Sequence, residues 1–463
     1  MKMSTSLKIS VSGVRGVVGE SLTPSLVAYF AAAFGEYVGG GRVLVGRDTR
    51  PTGTMYENAV TAGLLSVGCQ PVILGIVPTP TVQIAVLKLR ASGGIVISAS
   101  HNPEEWNALK FINSSGVFLN HNESDELLDI YNQPYTNYVK ESEYRNVHTS
   151  ENSFDIHKTK IFRQIDVELI RNAKLKVAVD CCNGAGAPYA KSFLEELGCD
   201  TSTVFTKTDC GFERAPEPVA NNLQELGKLV KENKCDIGFA MDPDADRLAI
   251  LDSRGEALGE QYSLVLAVAH VLAKTKKHAN VVVNLATTKA VEDIALKAGA
   301  DVYYSKIGEI NVTSEMIAKN AAIGGEGGSG GVIWPAVHSC RDAFTGMALI
   351  LEMMATRGAS IESILESMPK YFTANRKISC PGSRTSQKVI RELREKYISR
   401  KPNTADGIRI DWDDCWVLVR PSNTEPLIRI TAEARTEKIA EVLADKFAAE
   451  VEASGHPARD TAQ

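Results

Sequence analysis

One phrase, written three times, limits what this chain can fold into more than any other feature. A β-rich strand leads into a helix, a glycine closes the helix, and a second strand follows. The first copy runs from Val43-Leu44-Val45 through a helix to Gly68, then Pro71-Val72-Ile73-Leu74. The second runs from Val177-Ala178-Val179 to Gly198, then Thr203-Val204-Phe205; the third runs from Val281-Val282-Val283 to Gly299, then Val302-Tyr303-Tyr304. Glycine at those three places supplies the left-handed residue that ends a helix. Strands recurring on both sides of a helix predict three similar α/β domains with mixed, mostly parallel sheets. Ahead of them, Thr23 and Pro24 read as the cap and first turn of another helix.

The C-terminal part reads differently. Ile408 to Trp412 and Trp416 to Val419 predict paired strands around Asp413-Asp414, Ile428 to Ala432 a further strand, and KIAEVLADKFAAEVEA a closing amphipathic helix. That is an α+β domain, followed by a polar tail, SGHPARDTAQ, expected to fray. A chain of 463 residues is too long for a single core. The expected division is 1–150, 151–254 and 255–368 for the α/β domains and 369–463 for the last.

Charge and composition exclude several classes. A formal net charge of −5 gives no electrostatic case for nucleic acid or an anionic membrane. No apolar run is long enough to span a bilayer, and the N-terminus lacks the apolar stretch of a signal peptide. Nine cysteines with no C-x-x-C pair predict reduced, mostly buried thiols and a cytoplasmic chain. Cys181 and Cys182 read as neighbours in one strand, with side chains on opposite faces.

Four stretches carry chemistry. Ile95-Val96-Ile97 delivers Ser100 to a polar turn, His101-Asn102-Pro103, with Lys110 downstream. Open α/β sheets present chemistry at the C-terminal ends of their strands, and Pro103 keeps Asn102 out of helical angles, so the serine is expected on a loop. Ile237 to Met241, a buried-strand run, leads into Asp242-Pro243-Asp244-Ala245-Asp246-Arg247. Three carboxylates so close repel one another unless a cation sits among them, and at alternate positions they can converge on a hard cation such as Mg2+. An EF-hand is excluded, because its sixth position holds Arg247 and its twelfth Ser253. Arg247 could orient a phosphate oxygen.

The run Gly324 to Gly331 contains a formal G-x-G-x-x-G, but Val332-Ile333-Trp334-Pro335 stands where a dinucleotide site needs a helix. A loop offering Glu326 and Ser329 to the hydroxyls of a polar ligand fits better. Arg420-Pro421-Ser422-Asn423-Thr424-Glu425-Pro426, with Arg429, joins two guanidinium groups to hydroxyl and amide donors, an inventory suited to phosphate. Arg15 in SGVRG, and the arginines of GRDTR at 46–50, lie on glycine-rich turns that say little alone.

Taken in order, SGVRG, GRDTRPTG, SASHNP, DPDADR, GEGGSGG and RPSNTEP resemble the motifs of the α-D-phosphohexomutase superfamily, and most of all its phosphoglucosamine mutase branch. The resemblance implies three α/β domains and a C-terminal α+β domain around a central cleft. It implies an enzyme that moves a phosphoryl group between the 6- and 1-positions of a hexose phosphate. Glucosamine phosphate is the best guess, with phosphomannomutase or phosphoglucomutase activity, or a sugar-phosphate phosphatase, as the alternatives. Ser100 would be the phosphoserine; with Asp242, Asp244 and Asp246 it would hold one Mg2+. Arg15, His101 and Lys110 would complete the catalytic set. Arg247, Glu326 and Ser329 would bind substrate, and Arg420, Ser422, Asn423, Thr424 and Arg429 the non-reacting phosphate. A hexose 1,6-bisphosphate would serve as intermediate and activator. The implied partner is a small-molecule hexose phosphate, for a monomer or homodimer.

Two positions depart from the pattern. The sugar loop commonly reads GE-x-SG-His; here it is one glycine longer and Gly331 stands in the histidine's place, which moves the acid/base role to Lys110. Asn423 replaces the commoner glycine of the phosphate loop.

Overall fold

The computed structural model describes residues 7–10, 13–380, 382–422 and 426–455. Ser12 of the first motif, Asn423, Thr424 and Glu425 of the last, and all but the first two residues of the polar tail lie outside them.

Each of the three phrases forms the parallel part of its own sheet. In the first, Gly41–Arg47 lies between Cys69–Ile76 and Gly93–Ile97, parallel to both. In the second, Lys176–Asp180 pairs in parallel with Asp200–Val204 and Ile237–Met241. In the third, Asn280–Asn284 does the same with Asp301–Ser305 and Ile323–Glu326. A fourth strand then pairs antiparallel with the third strand of each unit: Trp106–Ile112, Leu248–Leu251 and Gly331–Trp334. The likeness therefore extends to four strands per unit. Its consequence is positional. Ser100, the Asp242–Asp246 turn and the Gly327–Ser329 loop each follow the C-terminal end of the third strand, at the step where the sheet changes from parallel to antiparallel. Such a switch point leaves room for a ligand at the strand ends.

The helix stops behave as expected: Gly68, Gly198 and Gly299 have φ of +78°, +80° and +70°. Thr23 caps the helix Pro24–Tyr37, its hydroxyl accepting from the Leu26 amide. One expectation fails. The strand ends at Asp180, and Cys181 and Cys182 lie in the turn beyond it, with Cys182 and Asn183 at φ +52° and +51°. A local Asn183-Gly184 turn, where Asn tolerates the left-handed region, outweighs the strand propensity of the two cysteines.

The fourth unit is an antiparallel sheet, in the order Phe372–Ser379, Leu427–Ala434, Cys415–Pro421, Ile408–Asp411, packed on the helices Ser383–Lys396 and Glu437–Gly455. The closing helix takes in the first two residues of the stretch read as tail. The second and third units share one continuous core, in which Phe154, Phe193 and Phe344 meet edge to face, whereas the fourth keeps its own core. It meets the third unit through a small apolar patch of Leu285, Trp416 and Leu418. Among the described residues no helix is long and apolar enough to cross a membrane.

Candidate active site

Ser100 follows the strand Gly93–Ile97 in a left-handed conformation, φ +50°, which a non-glycine residue adopts only when its surroundings enforce it. The enforcing group is Arg50. Its guanidinium is buried and donates to the carbonyls of Ser100 at 2.6 Å, Asn102 at 2.9 Å and Pro103 at 3.1 Å. Asp48 pairs with Arg50 at 3.1 Å and accepts from the Ser98 hydroxyl at 2.6 Å, while Ser98 Oγ accepts the Ser100 amide at 3.0 Å. Burial drives the Asp48 carboxyl upward, and Arg50 and Ser98 pull against it. The result is a turn with its backbone fixed and its hydroxyl aimed at the second unit's acidic turn.

That hydroxyl donates to Asp242 Oδ2 at 2.6 Å. Asp242, Asp244 and Asp246 are fully buried, and one oxygen from each lies within 4.8 Å of the others. Burial, then Asp246 and Asp244, raises the Asp242 carboxyl well above its ordinary range. Burial would raise Asp244 too, but Lys110 at 2.5 Å and the Thr79 hydroxyl at 2.6 Å hold it below its usual value. Asp244 Oδ1 and Asp246 Oδ1 are buried with no hydrogen-bond partner. Two orphaned carboxylate oxygens beside a serine hydroxyl suit an oxygen-seeking cation such as Mg2+, so the residues fit the ion the sequence implies.

Above them opens a cavity of about 520 Å³ built by all four units. The first unit contributes Arg15, Ser100, His101 and Lys110, and the second Arg247. Glu326 and Ser329 come from the third, and Arg420 and Arg429 from the fourth. Ser422 is half-buried, its amide donating to the Leu427 carbonyl at 2.8 Å. Arg15 reaches Asn102 Oδ1 at 2.5 Å, and His101 Nδ1 lies 3.4 Å from Ser100 Oγ. Burial, with Arg247, Arg15 and Arg341 nearby, pushes His101 down to about 2, so its ring is neutral at physiological pH. Glu326 is immobilised by Asn284 at 2.9 Å and the Gly308 amide at 2.7 Å. Lys110 Nζ donates to Asp244 Oδ2 at the mouth of this cluster.

Arg341 and Glu309 are among the residues of this cavity that sequence reasoning missed. Arg341 pairs with Asp246 at 2.5 Å, Glu326 at 3.0 Å and Glu309 at 3.1 Å. Burial lifts the Glu309 carboxyl to about 7, against the pull of Arg341 and of Gln83, which donates to it at 3.2 Å. Neither sits in a local motif; both are isolated at the edges of elements. Arg50 and Asp48 were visible only as part of a weak GRDTR turn.

Comparison with known proteins agrees with this layout. Four family models match in sequence: phosphoglucomutase/phosphomannomutase alpha/beta/alpha domain I over residues 7–137, domain II over 155–255, domain III over 259–371 and the C-terminal domain over 375–450. The chain is 35% identical to a probable phosphoglucosamine mutase of Methanopyrus kandleri, over 94% of this chain and 96% of the relative. It is 36% identical to a phosphoglucomutase/phosphomannomutase of Thermococcus kodakarensis, over 92% and 94%. A crystal structure of a phosphoglucomutase/phosphomannomutase family protein from Burkholderia thailandensis superposes with a TM-score of 0.83 at 25% identity, covering 98% of this chain and 99% of the other.

Proposed function

We propose, from the premise that the chain belongs to the phosphoglucomutase/phosphomannomutase family, that it interconverts glucosamine 6-phosphate and glucosamine 1-phosphate through a phosphoserine at Ser100. The chain is a phosphohexomutase; the sugar is the proposed part. Glucose and mannose phosphates are the alternatives, because relatives of nearly equal identity carry both kinds of name.

The observation that carries the reading is the seat of Ser100. Its hydroxyl lies 2.6 Å from the acidic cluster, in a cavity whose cations come from every unit and include a second pair, Arg420 and Arg429, on the fourth. A phosphatase has no use for a separate grip on a second phosphate. In the proposed cycle phospho-Ser100 meets the free hydroxyl of a hexose monophosphate. The bond from Ser100 Oγ to phosphorus breaks, a bond from the sugar oxygen to phosphorus forms, and one proton passes in net from the sugar hydroxyl to Oγ. The bisphosphate turns around, and its other phosphoryl group returns to Ser100 by the reverse chemistry.

Transfer through a loose transition state demands in-line positioning and opposite charge around the moving group. Arg15 and Lys110 supply that charge, and Lys110 Nζ or neutral His101 Nδ1 handles the proton. Asp242, Asp244, Asp246 and Ser100 would hold Mg2+, which when bound acts as a Lewis acid on phosphoryl oxygens. Glu326 and Ser329 grip sugar hydroxyls, Arg247 a phosphate oxygen. Arg420, Ser422, Asn423, Thr424 and Arg429 hold the resting phosphate. The working form is a monomer or homodimer, and nine unpaired cysteines support a cytoplasmic setting.

The deciding experiment compares kcat/KM for glucosamine, glucose, mannose and N-acetylglucosamine phosphates, with Mg2+ and a hexose bisphosphate present. The highest value is expected for glucosamine phosphate. A higher value for glucose or mannose phosphate overturns the sugar, and inorganic phosphate released faster than isomer forms overturns mutase action.

A further inference from the structure

Gly331 opens the strand Gly331–Trp334 at the edge of the cavity, and it is not among the residues with positive φ. Its backbone therefore does not require glycine; its surroundings do. A Cβ at this position would run into Cδ and Cγ of Arg341, so the missing side chain makes room for a guanidinium.

The guanidinium spreads its donors over a turn, a strand end and the start of a helix. One Nη donates to Asp246 Oδ2 at 2.5 Å and the other to Glu326 Oε2 at 3.0 Å, while Nε donates to Glu309 at 3.1 Å. Asp246 is thus held by one oxygen while the other, Oδ1, is buried with no hydrogen-bond partner, Arg247 Nε lying 3.9 Å away. Fixing one carboxylate oxygen from behind is how an outer group aims the other at a cation. Glu326, the last residue of the third unit's central strand, is held by the same planar fork, which lysine cannot reproduce because it is a single point charge.

We propose that Arg341 is a positioning residue serving two subsites at once: it aims Asp246 Oδ1 at the cation seat and holds Glu326 toward the sugar, with Gly331 as the space that admits it. This rests on the reading that a divalent cation sits among the three aspartates and a sugar against Glu326.

Two effects of removing Arg341 oppose each other on the metal. Loss of a nearby positive charge strengthens cation binding by simple attraction, whereas loss of alignment weakens it. The sign of the change identifies which one governs. Mg2+ binding to the full-length, chelator-treated protein is measured by titration calorimetry, with no substrate present, and KM and kcat are measured separately. Wild type is expected to bind Mg2+; if it does not, the cation reading itself fails. In Arg341→Gln, Mg2+ affinity is expected to fall about 10- to 100-fold and KM for the sugar phosphate to rise. Unchanged or tighter Mg2+ binding in that variant overturns the proposal.

Gly331→Ala keeps the arginine but displaces it, so it tests the same idea if Arg341→Gln does not fold. It is expected to shift both readouts in the same direction, and the double variant to be no worse than Arg341→Gln alone; additive losses overturn the link between the two positions. Arg341→Lys is expected to recover one readout but not both, and full recovery of both overturns the role assigned to the fork.

Discussion

Two buried arginines do similar work in opposite parts of the molecule. Arg50, in the first unit, captures three carbonyls of the serine turn and pairs with Asp48, which is itself fully buried. Arg409, in the fourth, donates to the carbonyls of Leu285 at 2.7 Å and Thr287 at 3.3 Å, and its guanidinium lies between the rings of Tyr304 and Trp416 at 4.4 and 4.2 Å. Its carboxylate partner, Asp411, is 41% exposed. One arginine thus locks a turn within its own unit through a closed network. The other fastens one unit to another through a network that water reaches. Rigidity is placed at the turn proposed to carry the phosphoryl group, and the attachment of the unit with the proposed phosphate grip is built more openly.

The largest expected effect comes from the reacting end. Ser100→Ala is expected to lower turnover by more than about 10⁴-fold, because the proposed phosphoryl carrier is gone. Mass spectrometry of the resting enzyme should then find no phosphoserine; a rate near wild type would remove Ser100 from the mechanism.

Next in size is Arg50→Ala, which leaves the Asp48 charge buried without its partner. A loss of about 3–5 kcal/mol in unfolding free energy is expected from denaturant titration, with kcat falling more than KM rises. Arg409→Ala should cost less, about 1–3 kcal/mol, since Asp411 can rehydrate and only the captured carbonyls lose donors. Its kinetic mark is expected in KM, because the fourth unit carries Arg420 and Arg429. Equal losses at the two arginines would break the contrast between closed and open networks.

The smallest effect concerns pH at the contact between the first and third units. His338 is bonded to the Gly116 carbonyl at 2.7 Å; burial, then Lys160 and His157, pushes its ring down to about 4. The unfolded chain therefore binds more protons than the folded one between the ordinary value of about 6.5 and pH 4. Stability from this group is complete above that range and declines through it on acidification, by at most about 1.4 kcal/mol per pH unit. Melting curves at pH 7.5 and 5 should show a smaller acid loss in His338→Gln than in wild type. An identical loss would place the acid sensitivity elsewhere.

What could be read in advance was whatever is local. The strand–helix–glycine phrases needed only neighbouring residues, and so did the serine turn, the aspartate triplet and the glycine loop. The residues that escaped notice act across distance. Arg341 meets Asp246 over a separation of 95 positions, Arg50 meets Ser100 over 50, and Gln83 meets Glu309 over 226. No periodicity records such meetings, because the fold creates them by bringing equivalent strand ends of three sheets to one cavity. Cys181 and Cys182 failed for the opposite reason: a two-residue turn signal beside them decided more than their own preference for strands. The missing loop histidine was noticed, but only the side chain occupying its space explains it.

The +50° torsion at Ser100 also settles a question of chemistry by geometry. Threonine offers the same primary requirement, a hydroxyl able to carry phosphate. A side chain branched at Cβ is nonetheless a genuine outlier in the left-handed region. The identity of the proposed carrier is therefore dictated by a backbone angle before nucleophilicity is considered, and a hydroxyl of equal chemical competence would arrive attached to the wrong shape.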